Sequence, residues 1–264
     1  MTFQSLLHPS TSASTDLTDF ISHEDWNLVK MYLASSSARH ASTKWTTITG
    51  FFDGEYDSRV LPIHQACALR PPKEVVEKLI KCYPEGLKLR EEKFQRLPLH
   101  IACLTSAPAH VLEVLIRYYP EGARCKDSIG RLPIHYACAH DVPEEVIEML
   151  LRSFPASAGC GDSNGWLPLH VACRRGLSVN VIRQLICCFP PSVDMQTKKG
   201  STPLMCAQKG GIGQNHLDVI DLLNEELMRQ CNIGWGKSSD DHSQVLTSGM
   251  STVRHRHVNI HAKS

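Results

Sequence analysis

The sequence lacks several features that would place a protein in a familiar class. It has no run of about 18 apolar residues, so it predicts no transmembrane helix. Its 28 Lys and Arg residues balance 27 Asp and Glu residues, so the whole chain favours no partner by its net charge. The first 20 residues have neither the basic start nor the apolar stretch of a signal peptide. We therefore expect an intracellular protein, cytoplasmic or nuclear.

Cysteine is plentiful, but a disulfide framework is not indicated. The count of 11 is odd, the chain of 264 residues is long, and no export signal is present. Reduced thiols are the better interpretation. Aromatic residues make up only 6% of the chain, whereas apolar residues make up 42%, which is enough for a packed core.

An internal repeat dominates the sequence. The motif Leu-Pro-(Ile/Leu)-His occurs four times, at residues 61–64, 97–100, 132–135 and 167–170. Its prolines lie 36, 35 and 35 residues apart, and a fifth copy without the histidine follows 35 residues later at residues 201–205. This regular spacing predicts one supersecondary unit used five times.

Each copy continues in the same way beyond the motif. An Ala-Cys pair follows every histidine, and a second apolar segment carries Val and Leu four positions apart, which marks one face of a helix. Prolines lie near the start of most of these segments and after the end of each. The spacing predicts helix pairs over residues 61–69 and 72–82, 97–104 and 108–118, 132–139 and 143–153, and 167–174 and 178–188.

This pattern resembles the ankyrin repeat, whose signature is Thr-Pro-Leu-His-x-Ala after an Asp-x-x-Gly turn. The turns Asp127–Gly130 and Asp162–Gly165 match fully, whereas the turn at residues 92–95 has no glycine and should be less tight. Leucine replaces the threonine in four copies, which removes an N-cap hydrogen bond. The resemblance implies an all-α solenoid of stacked helix-turn-helix units, with about five full repeats between degenerate terminal caps.

The remaining sequence sets the expected domain boundaries. Residues 1–20 and 232–264 are polar and without periodicity, so we expect flexible tails. Residues 21–57 are expected to form a degenerate capping repeat, with Trp26 to Leu33 as its surviving second helix. Residues 58–231 are the expected repeat domain, with Val219 to Gln230 as a closing cap.

Metal binding and catalysis are the alternatives to a scaffold. His-x-x-Cys occurs at residues 64–67, 100–103, 135–138 and 170–173, and such pairs share a helix face. A structural zinc needs four ligands around one point, whereas each unit supplies two and neighbouring helices lie about 8–10 Å apart. The sequence shows no catalytic constellation, and the glycine-rich residues 210–213 lack the context of a phosphate-binding loop. We expect no cofactor, no metal and no enzyme; a regulatory or metal-binding unit remains the alternative.

The family resemblance places partner binding on the turn tips and first helices, the concave side of the stack. The candidate positions are Lys93, Phe94, Arg96, Ile129, Arg131, His140, Asn164, Trp166, Arg174, Arg175, Lys198 and Lys199. They include seven cations and no acid, which favours an acidic partner segment. Trp166 belongs either to this interface or to packing against the next turn, and the sequence leaves both open.

We therefore predict a non-enzymatic scaffold that binds a protein partner. The sequence contains no nucleic-acid reader motif, which disfavours nucleic acid as the partner. A monomer with no membrane association is expected.

Overall fold

A computed structural model describes residues 16–52, 54, 56–140, 142–210 and 216–236 of the chain. The described chain begins with three short helices, α1 (Leu17–Ser22), α2 (Trp26–Tyr32) and α3 (Ala38–Ser42). An antiparallel hairpin of β1 (Thr46–Phe52) and β2 (Tyr56–Val60) follows. From residue 62 onwards, a unit of two helices repeats five times.

The first helices of the five units are α4 (Pro62–Ala68), α6 (Pro98–Leu104), α8 (Pro133–Ala139), α10 (Pro168–Arg175) and α12 (Pro203–Lys209). The second helices are α5 (Lys73–Cys82), α7 (Ala109–Tyr118), α9 (Glu144–Ser153), α11 (Val179–Cys188) and α13 (His216–Gly236). The predicted helix pairs and the all-α class are confirmed.

Proline sets the start of every first helix. The five motif prolines occupy the first helical position, where a backbone N–H would have no partner within the helix and the fixed φ of proline suits the helix. A Tyr or Phe with non-helical backbone angles follows each of the second helices α5, α7, α9 and α11, and the proline after it opens a short 3₁₀ turn. The prolines therefore fix both boundaries of the repeat.

The units are held together by two layers of helices. Each first helix packs against the first helix of the next unit, and the second helices from α5 to α11 do the same. The Ala-Cys pairs lie buried between the first helices, where small side chains allow a close approach. Val75, Leu79 and their equivalents in later units are buried in the second layer. A fully buried residue of this size stabilises the fold by about 1.5–3 kcal/mol, so the apolar stripe of each unit drives its stacking.

The N-terminal end contains more structure than the sequence predicted. Helix α2 packs against α5 as the expected second helix of a capping repeat, and α1 packs against both α2 and α4. Gln65 of α4 donates from Nε2 to the carbonyl of Thr18 at 2.9 Å and to Ser22 Oγ at 2.6 Å. Residues 17–20, expected in a flexible tail, thus belong to the first helix of this cap. The proposed domain boundaries otherwise stay a prediction.

The β-hairpin is a small element that the repeat pattern did not predict. Its register pairs Thr46 with Val60 and Ile48 with Ser58, and the register shifts between Ile48 and Phe52. Gly50 lies in this irregular stretch with φ of +65°, a conformation that glycine tolerates best. The β-branched residues of β1 favour a strand, but the strand is only seven residues long and lies between helical units, so the sequence pattern was too short to predict it.

The repeats belong to a compact region of the chain that ends at Asn224, within α13. Thr202 keeps the family's N-cap and accepts a hydrogen bond from the Met205 N–H at 3.2 Å. Val219, Leu222 and Leu223 of α13 are buried. A second compact region begins at Glu225, and in it Arg229 forms an ion pair with Glu226.

Some predicted features lie outside the described residues, namely most of both expected tails and the glycine-rich loop from residue 211. No helix within the described ranges combines the length and apolarity needed to cross a membrane.

Candidate functional site

The candidate binding surface is built on the turns that precede the first helices, here called the tips. In two of them a buried aspartate organises the backbone. Asp127 Oδ1 accepts from the N–H groups of Ile129 and Arg131 at 3.0 and 2.8 Å. Asp162 Oδ1 does the same for Asn164 and Trp166 at 2.8 and 3.0 Å. These hydrogen bonds fix the direction in which each tip presents its side chains.

The tip without a glycine uses a different carboxylate. It is one residue longer, and Glu91 Oε1 accepts from the N–H groups of Phe94 and Arg96 at 2.8 and 3.0 Å. Its Oε2 accepts from Ser58 Oγ at 2.6 Å. Gln95 takes the glycine's place with φ of +57°. The extra residue explains why the first two motif prolines lie 36 residues apart rather than 35.

Backbone hydrogen bonds connect the tips into one row. The Ser128 N–H donates to the Phe94 carbonyl at 2.9 Å, Ser163 to Ile129 at 3.0 Å, and Lys198 to Asn164 at 2.9 Å. At the N-terminal end, Glu92 N–H donates to the carbonyl of Arg59 in β2 at 3.2 Å. The hairpin therefore takes the place of a preceding tip.

The motif histidines hold each first helix to the tip of the next unit. In each of the four, Nδ1 accepts the N–H of the N-cap leucine at 3.1–3.2 Å. Nδ1 is thus unprotonated, and Nε2–H donates to a carbonyl of the next turn, such as Trp166 for His135 at 3.0 Å. Burial lowers the pKa of His64, His100 and His135 to about 4, and it also lowers the pKa of His170.

This arrangement decides what the His-x-x-Cys pairs can do chemically. Both imidazole nitrogens are already used in the hydrogen bonds just described, so neither has a lone pair free for a metal. Burial raises the pKa of the thiols of the four paired cysteines, to about 12 for Cys138. The described residues contain no group of three or more side chains arranged to hold a metal ion.

Two of the predicted contact cations are neutralised by acids beneath the surface. Arg96 is only 8% exposed; its Nε donates to Tyr136 Oη at 3.1 Å and lies 3.7 Å from Asp127 Oδ2. Burial is the main reason why the pKa of Tyr136 is raised to about 12. The hydrogen bond that Tyr136 donates to Asp127 at 2.6 Å also raises this pKa, whereas the charge of Arg96 acts in the opposite direction. Arg131 Nε lies 3.3 Å from Asp162 Oδ2. Arg96 therefore supports the surface from below and is not one of its accessible residues.

The remaining cations concentrate in the last two units. Arg174, Arg175, Lys198 and Lys199 are exposed, and Lys209 is exposed on α12. We call these five residues the basic patch. No ion pair is recorded for any of them within the described ranges. Lys209 is not among the predicted contact residues, although it occupies in the fifth unit the position that Arg174 occupies in the fourth.

The other predicted contact residues differ in their exposure. Lys93 and Asn164 are exposed, Ile129 is 38% exposed, and Phe94 and His140 are half-buried. Trp166 is half-buried as well, with its ring edge-on to His170 at 6.0 Å between centroids. Part of the indole therefore packs and part faces solvent, which is compatible with both sequence interpretations.

Comparison with known proteins supports the repeat assignment. No curated protein matches the chain significantly. A family model described as ankyrin repeats in three copies matches residues 63–158 and 144–233, which together cover more than half of the chain. With the tip turns, the histidine hydrogen bonds and the paired helices, this match shows that the chain belongs to the ankyrin-repeat family.

Proposed function

We propose that this protein is a non-catalytic scaffold that binds an acidic segment of a partner protein on its tips and first helices. Ankyrin repeats generally mediate protein–protein interactions. The observation that carries the more specific proposal is the basic patch, whose five cations remain exposed after Arg96 and Arg131 have been paired with Asp127 and Asp162.

The arrangement of the basic patch supports an acidic ligand. Arg174 and Arg175 lie in the last turn of α10, where the helix dipole favours cations, and both residues are exposed. Lys198 and Lys199 lie at the tip before α12 and Lys209 lies at its last residue, so cations occur near both ends of α12 and at the C-terminal end of α10. Charges of one sign on one surface speed up the association with an oppositely charged segment.

Charge reversal tests this proposal directly. The probe is a fluorescein-labelled peptide with a run of glutamates, and its binding is measured by fluorescence anisotropy at low and high salt. We expect Arg174→Glu with Arg175→Glu to weaken binding by about tenfold or more, mainly through slower association, because electrostatic steering is reversed. The difference from the parent protein should shrink at high salt, since screening acts over about 8 Å at physiological ionic strength.

A matched control separates a local effect from the change in net charge. Lys81→Glu with Arg183→Glu makes the same charge change at exposed positions of the second helices α5 and α11. This variant should bind like the parent protein, and both variants should melt normally because the changed residues are exposed. Equal binding by all three proteins would refute the proposed surface.

A further inference from the structure

The row of tips changes its chemistry from one end to the other. At the N-terminal end, Tyr56 is 41% exposed, Ile129 is 38% exposed, and Phe94 lies half-buried between them in the row. We call these three residues the apolar patch. The positions equivalent to Phe94 and Ile129 in the last two tips are Asn164 and Lys199, so the aromatic and aliphatic side chains give way to the basic patch.

The apolar patch is held in a fixed geometry by its neighbours. The rings of Tyr56 and Phe94 meet edge to face at 5.6 Å and 84°. The Arg96 guanidinium lies 4.3 Å from the centre of the Phe94 ring, and the hydrogen bond to Tyr136 fixes that guanidinium in turn. Lys93 Nζ lies 4.9 Å from the centre of the Tyr56 ring. Rigid aromatic side chains lose little entropy on binding, which makes such a patch suited to an anchoring contact.

Charges near the apolar patch cancel. A cleft of about 310 Å³ beside Tyr56 is lined by the carboxylates of Asp57 and Glu92 and by the cations Arg59 and Lys93. An acidic side chain gains no net attraction at this end of the row. The affinity available here therefore comes from apolar burial.

We propose that the partner segment carries a large apolar side chain that occupies the apolar patch while its acidic cluster occupies the basic patch. This inference rests on the proposed function. Ile129 and Lys199 hold equivalent positions two units apart, a separation of about 16–20 Å because packed helices lie about 8–10 Å apart. An extended segment advances about 3.3 Å per residue, so about five or six residues separate the apolar side chain from the acidic cluster.

A set of synthetic peptides tests the required spacing. All carry the same run of glutamates and a fluorescein label; one has no apolar residue, and the others place a tryptophan two, six or twelve residues from the glutamates across a Gly-Ser spacer. We expect the six-residue spacer to bind about tenfold more tightly than the peptide without tryptophan, because one large side chain is buried at the same time as the charges pair. The two-residue spacer is too short to connect the apolar patch with the basic patch, so its tryptophan should not increase the affinity.

Variants of the protein then locate the effect. Tyr56→Ser with Ile129→Ser should abolish the tenfold gain and leave binding of the peptide without tryptophan unchanged. The control, Leu28→Ser with Tyr118→Ser, removes similarly exposed apolar residues from α2 and α7 and should retain the gain. Melting temperatures of both variants check that the fold is intact.

The outcomes distinguish the two proposals. A gain that does not depend on spacer length, or that survives Tyr56→Ser with Ile129→Ser, overturns the inference about the apolar patch and leaves the acidic-segment proposal standing. No binding of any glutamate peptide overturns both. Displacement of the peptide by a single-stranded oligonucleotide at equal concentration would assign the basic patch to nucleic acid and would also overturn both.

Discussion

Gln95 occupies a tip position that the equivalent units reserve for glycine. Its φ of +57° lies in the left-handed region, as do the values of +77°, +76° and +76° for Gly130, Gly165 and Gly200. A non-glycine residue in this conformation costs about 1–2 kcal/mol, whereas glycine loses more backbone entropy on folding. We therefore expect Gln95→Gly to raise the free energy of unfolding by about 0.5–1 kcal/mol, measured by urea denaturation.

Replacing a tip glycine by alanine is the opposite change to Gln95→Gly and should have the opposite effect on stability. A Cβ added at Gly165 would lie 3.1 Å from the Lys198 nitrogen, in addition to the unfavourable φ. Gly165→Ala should lower the free energy of unfolding by about 1–3 kcal/mol. If Gln95→Gly and Gly165→Ala shift stability in the same direction, the conformational interpretation of the tips is wrong.

At the scale of the helix, the buried histidines make stability depend on pH. Burial lowers the pKa of His64, His100 and His135 from 6.5 to about 4 in the folded protein, so the unfolded chain takes up these protons at higher pH than the folded protein does. The part of the free energy of unfolding that depends on these neutral histidines is present above about pH 6.5 and is lost as the pH falls towards 4. From pH 7 to pH 5 we expect the free energy of unfolding to fall by roughly 2 kcal/mol per fully buried histidine.

Urea denaturation at a series of pH values measures this loss. His135→Gln removes one of these titrating groups, so the variant should be less stable at pH 7 but should lose less stability on acidification than the parent protein. A flat profile between pH 7 and pH 5 would show that the histidines do not titrate as their burial requires.

At the scale of the whole repeat region, stability arises from contacts between neighbouring units. The four His-x-x-Cys pairs contribute hydrogen bonds and small buried side chains, as described for the candidate site, and each unit packs its apolar stripe against the next. A strong chelator should therefore change neither the helical circular dichroism signal nor the melting temperature. Metal analysis of the purified protein supplies the check: one zinc per chain, with unfolding on its removal, would refute this account.

The repeating unit and its boundaries can be predicted from the sequence alone. The motif prolines and the apolar positions four residues apart act within one helix or one helix pair, and the Ala-Cys pairs recur at the same place in four copies, so the spacing of these residues is sufficient to predict the unit. The signal was weaker where the local pattern was short, and both β1 and α1 were missed for that reason. Leucine at the N-cap lacks the side-chain hydrogen bond that Thr202 makes, as the sequence predicted. The sequence did not predict a second hydrogen bond, in which the histidine three residues later accepts the N–H of the N-cap leucine, as Leu132 and His135 show.

Which cations of the predicted surface remain accessible depends instead on how the units stack. Arg96 and Asp127 are 31 positions apart, as are Arg131 and Asp162, and each pair meets because adjacent tips are stacked in register. The repeat pattern assigns these four residues separate roles, two as surface cations and two as turn formers. Charge pairing depends on distances of a few ångströms between side chains of different units, which a repeat pattern does not specify. Of the seven predicted cations, stacking therefore leaves Arg174, Arg175, Lys198 and Lys199 exposed in the basic patch at one end of the row of tips, and Lys93 exposed beside the apolar patch at the other.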